Sequence, residues 1–201
     1  MKSLLLSRRD LDFLLYEWLK VDELTSRKRF ADHSRETFDG VLDLSEQLAE
    51  RYFAPHNKKS DANEPTFDGQ TVTMVPEVKE AWDAFVEADL IGMSMDESVG
   101  GAQLPAVVAQ AAFAWIAAAN VSTSGYLMLT IANANLLTKF GTPEQIETYV
   151  KPMLAGRFSG KTVVVTGSGK QKGLGQTILQ RFADEGANCV VSDLAIDAEA
   201  E

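Results

Sequence analysis

The sequence contains one cysteine and two histidines. Cys189 alone cannot close an internal disulfide, and His33 and His56 are too few to complete a zinc cluster with it. Basic residues are scarce as well: 19 Lys and Arg face 29 Asp and Glu, a formal charge of -10. Such a surface repels phosphate backbones and anionic lipid headgroups, so nucleic acid and membrane are not expected partners. Long apolar runs are missing. The longest, Ala111 to Ala119, is far below the roughly 18 residues of a membrane span. Near the N-terminus, Arg8, Arg9 and Asp10 interrupt a run of three leucines, well short of the about 7–15 apolar residues of a secretory h-region. A reducing cytoplasm is the compartment these absences fit.

Apolar residues make up 45% of the chain, enough for a core of useful size. Their spacing changes character once, near Phe158-Ser159-Gly160. Before that point the periodicity is helical: Leu11, Leu14, Leu15, Trp18 and Leu19, then Phe38, Val41, Leu42, Leu44, Leu48, Tyr52 and Phe53. Pro55 and the polar stretch from His56 to Asn63 end the second pattern. Residues 70–74 read as a short strand after the Asp68-Gly69 turn. Pro76 opens a further helix, with Val78, Trp82, Phe85, Val86 and Leu90 on its apolar side. A loop, 92–103, turns at Gly100-Gly101. Two helices, about 104–119 and 121–140, are apolar on most faces, which predicts burial in the middle of a bundle. Thr142, Pro143 and Gln145 form an N-cap signature, and Gly156 stops the helix it starts. His33 and His56 lie in polar stretches and read as surface or capping residues. Met93, Met95 and Met128 read as packing residues, and Arg27-Lys28-Arg29 as a solvated helix end.

Beyond Gly160 the texture is that of a parallel sheet. Lys161 to Thr166 is a β-branched strand, 174–185 an amphipathic helix, and Asn188 to Asp193 a second strand. Gly167 makes the tight turn after the first strand. Gly173 and Gly175 allow close approach of a pyrophosphate to the helix N-terminus, and Asp193 is placed for the ribose hydroxyls of NAD.

Three stretches of the first part resemble the acyl-CoA dehydrogenase family. They are Arg9 to Glu17, then the run from Ala88 to Gly92 with Asp96 to Pro105, then Phe140 to Gly156 with its Glu144-Gln145, Tyr149 and Pro152. The resemblance implies that residues 1–158 are that family's N-terminal helical domain. It implies acyl-CoA as substrate and FAD as cofactor: a glutamate removes the α-proton while the flavin N5 takes the β-hydride, giving a 2-enoyl-CoA. In that scheme the flavin and the base belong mainly to a middle β domain and a C-terminal helical domain, so no catalytic residue is assigned here. Helix 121–140 would line the acyl pocket, with Tyr126, Leu129 and Asn133 as its lining residues, and core packing as their ordinary alternative. A homo-oligomer or an intact acyl-CoA dehydrogenase is the implied protein partner.

Residues 159–201 resemble the opening of a short-chain dehydrogenase/reductase. The resemblance implies NAD at Gly167, Gly173, Gly175 and Asp193. The loop departs from that family's pattern by two extra residues. Its Tyr-x-x-x-Lys pair is missing, since all four tyrosines precede the glycine loop and no lysine follows Lys172. The expected fold is therefore mainly α, a helical bundle followed by a truncated Rossmann-like β-α-β fragment. Activity of this chain alone is not expected; a non-catalytic helical interaction module and an NAD(P)-binding oxidoreductase fragment are the alternatives.

Overall fold

The computed structural model describes residues 3–68 and 72–157, and the backbone of 162–166 and 188–192. Among these residues the fold is mainly helical. Helix α1, Arg8–Asp12, starts where the Ser7 side chain accepts from the Asp10 N–H, and it continues as π-helical turns over Phe13–Trp18. Helix α2, Arg35–Leu48, opens on a Ser34–Thr37 capping box and runs on through the π-helical segment Ala49–Phe53 to Pro55. Helix α3 is Asn57–Ala62. Strands β1, Thr66–Phe67, and β2, Val72–Thr73, pair antiparallel, with Thr66 opposite Thr73. Helix α4, Glu77–Glu87, follows Pro76. Helices α5, Ala106–Ala119, and α6, Val121–Phe140, are joined through Asn120. Helix α7, Pro143–Gln145, carries the Thr142–Gln145 capping box and leads through Ile146–Val150 into α8, Lys151–Leu154. Gly156 ends it with a left-handed φ of 65°.

The main core is where α2, α4 and α5 meet. Phe38, Leu42 and Phe53 from α2 and its extension pack with Phe85 of α4 and with Val108, Trp115 and Ile116 of α5. A smaller cluster joins the 92–103 loop to the later helices through Met95, Val99, Ala134, Val150 and Met153. The loop itself is pinned by backbone bonds: Ala102 N–H donates to Gly92 O, Gly101 to Asp96 O, Gln103 to Met95 O and Leu104 to Met93 O. Arg29 pairs with Asp96 at 2.8 Å and holds that carboxyl below the usual carboxylate range.

At the N-terminal edge, Arg8 binds Asp12 of its own helix together with Asp39 and Asp43 of α2. The Tyr16 hydroxyl donates to Asp39 at 2.8 Å, and the Arg35 guanidinium stacks 4.0 Å from the Tyr16 ring centre. Burial, then the Asp39 hydrogen bond, push the Tyr16 phenol well above its ordinary value.

Five readings of the sequence need correction. Pro55 and the polar stretch after it do not end the helical path: Pro55 sits in the 3-10 turn Ala54–His56, which leads directly into α3. Helix α6 is not enclosed: Val121 and Phe140 are 74% and 73% exposed, and Met128 and Leu136 about half. Its apolar residues surround the axis, and neighbouring elements cover only part of that circumference. Met128 is therefore not a packing residue, whereas Met93 and Met95 are. His56 is no surface group; it is 2% exposed. In the first helix, Leu14, Trp18 and Leu19 are exposed, and Leu15 and Tyr16 are the residues that pack inward.

In the last part, β3, Thr162–Thr166, and β4, Asn188–Ser192, pair in parallel, with Thr162 opposite Asn188 and Thr166 opposite Ser192. The helix expected at 174–185 lies outside the described residues. Among the described residues no helix is long and apolar enough to cross a membrane.

Candidate functional site

The first turns of α6, the residues flanking the hairpin β1–β2, α3 and the start of α4 line a cleft of about 240 Å³. Its apolar wall is Met74, Val75, Val78, Val121 and Tyr126. Its polar side comes from α3 and the residues after it, with Asn57, Ser60, Asp61, Asn63 and Glu64. The cleft opens to a wider depression of about 690 Å³, which shares Asp61, Asn63, Glu64, Met74 and Val75 with it. At the inner end Val78, Thr123 and Tyr126 also bound a pit of about 10 Å³, closed off by Trp82 and Leu127. The surface thus narrows from a polar mouth to an apolar end.

The wall from α6 is held by a buried polar lock. Asn120 caps the helix: its Oδ1 accepts from the Thr123 N–H at 3.0 Å and from the Ser122 hydroxyl at 2.9 Å, and its Nδ2 donates to Phe53 O at 3.3 Å. His56 Nδ1 lies 2.8 Å from Tyr52 O. A carbonyl only accepts, so Nδ1 carries the proton. In the neutral ring Nε2 is then the acceptor for the Thr123 hydroxyl, 2.9 Å away. This chain of bonds fixes the end of α2's extension against the first turn of α6. It also sets the Thr123 side chain where cleft and pit meet. One turn further, the Tyr126 hydroxyl donates to Met74 Sδ at 3.4 Å and ties α6 to the residue after β2.

Tyr126, Leu129 and Asn133 share one side of α6, as their i, i+3, i+7 spacing requires. All three are half-buried. Only Tyr126 lines the cleft. Leu129 packs against the smaller cluster. Asn133, about 10 Å along the helix axis from Tyr126 at 1.5 Å per residue, is not among the lining residues. Gly167, Gly173, Gly175 and Asp193 lie outside the described residues. The sequence reading missed His56, Thr123, Asn120 and Met74. Asn120 ahead of an apolar helix carried an N-cap signal, but the partners of His56 and Met74 stand 67 and 52 residues away in the chain.

Residues 36–157 match the family model for the acyl-CoA dehydrogenase N-terminal domain. The chain is 32% identical over 180 residues to the broad-specificity linear acyl-CoA dehydrogenase FadE5 of Mycobacterium tuberculosis, an alignment covering 88% of this chain and 29% of that protein. It therefore spans less than a third of that relative's length. The solved electron transferring flavoprotein of Acidaminococcus fermentans superposes with a TM-score of 0.50 at 19% identity, over 68% of this chain and 38% of that one, a likeness of fold alone. On the match over residues 36–157 and the identity to a curated relative, the chain belongs to the acyl-CoA dehydrogenase family, through that family's N-terminal domain.

Proposed function

We propose that the chain supplies the wall that receives the acyl tail of an acyl-CoA in a flavin-dependent acyl-CoA dehydrogenase. The observation that carries the reading is the narrowing cleft at Tyr126, apolar at its inner end and built on the first turns of α6. An alkyl chain buried there gains the usual free energy of removing apolar surface from water, about 25 cal/mol per Å². Tyr126, Val78 and Val121 are its contacts, with Leu129 and Asn133 further along the same side of the helix. FAD is the family's cofactor, and when bound it accepts the β-hydride. This cleft does not fit it: a dinucleotide's pyrophosphate needs cations or clustered N–H groups, and the lining residues include Asp61 and Glu64 but no lysine or arginine. The flavin and the base are therefore assigned to no residue of this chain, and neither is the CoA diphosphate. Association with a second copy or with an intact family member belongs to the same reading.

Calorimetric titration tests it. Octanoyl-CoA is expected to bind this chain more tightly than CoA itself, and Tyr126→Ala to weaken octanoyl-CoA on the order of tenfold while leaving CoA unchanged. Equal binding of the two ligands, or equal loss in the variant, refutes the acyl-wall assignment.

For residues 159–201 the reading is a dinucleotide-binding start, with Gly167, Gly173 and Gly175 at the phosphates of NAD and Asp193 at the ribose. The parallel register of β3 and β4 supports it, because a parallel pair with a crossover is what such a loop requires. Calorimetric titration with NAD tests it: saturable binding that Gly173→Val abolishes supports the reading, and no binding contradicts it.

A further inference from the structure

We infer that the acidic mouth of the Tyr126 cleft selects against acyl chains that end in a carboxylate. The inference rests on the acyl-wall reading of the same cleft and adds which tails it takes. Asp61 on α3 and Glu64 just beyond it line both the cleft and the wider depression outside it, so any tail entering from that side passes them. Both are exposed. The lining of cleft and depression contains no lysine, arginine or histidine to neutralise them. Of the two cations on α3, Lys58 lines neither the cleft nor the depression, and Lys59 is held by Glu77. Further in, the walls are Val78, Trp82, Tyr126 and Leu127, and the hydroxyl of Tyr126 is already given to Met74. A terminal methyl loses nothing on this path. A terminal carboxylate meets two like charges at that mouth. Two like charges a few Å away in largely aqueous surroundings reduce affinity on the order of tenfold together.

The test compares octanoyl-CoA with the mono-CoA thioester of octanedioic acid, which differs at the far end alone. Binding to the full chain is measured by calorimetry at low and moderate salt. The octanedioyl thioester is expected to bind on the order of tenfold more weakly at low salt, with the gap shrinking as salt rises toward 0.15 M, where charges are screened beyond about 8 Å. In the Asp61→Asn, Glu64→Gln double variant the gap is expected to fall to about twofold at either salt. Both substitutions are at exposed positions, and an unchanged thermal midpoint shows that the fold is kept. If both thioesters bind equally to the unaltered chain, or the gap survives neutralisation or salt, the inference fails and the acyl-wall reading stands. If neither thioester binds more tightly than CoA, the acyl-wall reading fails and takes the inference with it.

Discussion

Replacing Gly101 by alanine tests the loop architecture most sharply. A Cβ at this position would lie 2.3 Å from the carbonyl oxygen of Met95 and 2.4 Å from its carbonyl carbon. Neither is the end of a flexible side chain, so the backbone of the 92–103 loop has to move. Overpacking that forces backbone shifts costs typically about 1–3 kcal/mol. The same Met95 oxygen accepts the Gln103 N–H at 2.9 Å, and disturbing that bond adds about 1 kcal/mol. A loss of about 2–4 kcal/mol results, which lowers the melting midpoint by between about 4 and 16 °C at this size. The same substitution at Gly40 is the internal control. Gly40 sits in α2 with nothing within 4 Å of the added carbon, so alanine there is expected to stabilise by about 0.5–1 kcal/mol. Urea unfolding followed by far-UV circular dichroism separates the two. A Gly101→Ala chain as stable as the parent, or a Gly40→Ala chain less stable, refutes the reasoning from backbone approach.

Further expectations follow from the polar contacts and the helix ends. Gly156→Ala places a carbon 2.8 Å from Val86 Cγ1 at a φ of 65°, and is expected to cost about 2–3 kcal/mol, read from the same urea curves. His56→Ala removes a buried ring and leaves the Tyr52 carbonyl and the Thr123 hydroxyl without their partner. A loss of about 2–4 kcal/mol is expected, and a double-mutant cycle with Thr123→Val should show coupling of at least about 0.5 kcal/mol. Additive losses would place the two groups outside one network. The folded-state value of Tyr16 is raised, so its contribution to stability is fully present below the unfolded value of about 10 and is lost as pH rises beyond it. Unfolding curves between pH 8 and 11 should therefore fall more steeply for the parent than for Tyr16→Phe; parallel curves contradict the buried Tyr16–Asp39 bond.

The helix ends were the most legible part of the sequence. Thr142 with Gln145 and Gly156 after Leu154 each act through their own backbone, and the structure has a cap or a stop at each. The register of α2 and α4 was legible as well, because one apolar stripe faces one core. Helix α6 was not. A helix apolar on nearly every face gives no periodic signal for which side its neighbours cover, so Val121 and Phe140 were read as buried. The π-helical turns at Phe13–Trp18, Ala49–Phe53 and Ile146–Val150 leave the apolar spacing almost unchanged and carry no sequence mark. His56 failed for another reason. Its environment is made by Thr123, and only the packing of the α2 extension against α6 brings the two together. At the site, Tyr126 was named by its place on α6, while Met74 follows a hairpin whose first strand the sequence did not announce, and Asp61 and Glu64 come from α3 and the residues after it, a stretch whose polar composition hid its helix.

The central claim is that the acyl tail lies against the first turns of α6. Photolabelling with an octanoyl-CoA that carries a diazirine at its terminal carbon reads this directly, with labelled residues mapped by peptide mass spectrometry. The account predicts label on Tyr126 and its cleft neighbours Met74, Val78 and Val121, competed away by unlabelled octanoyl-CoA. Saturable label confined to residues outside the cleft would contradict it.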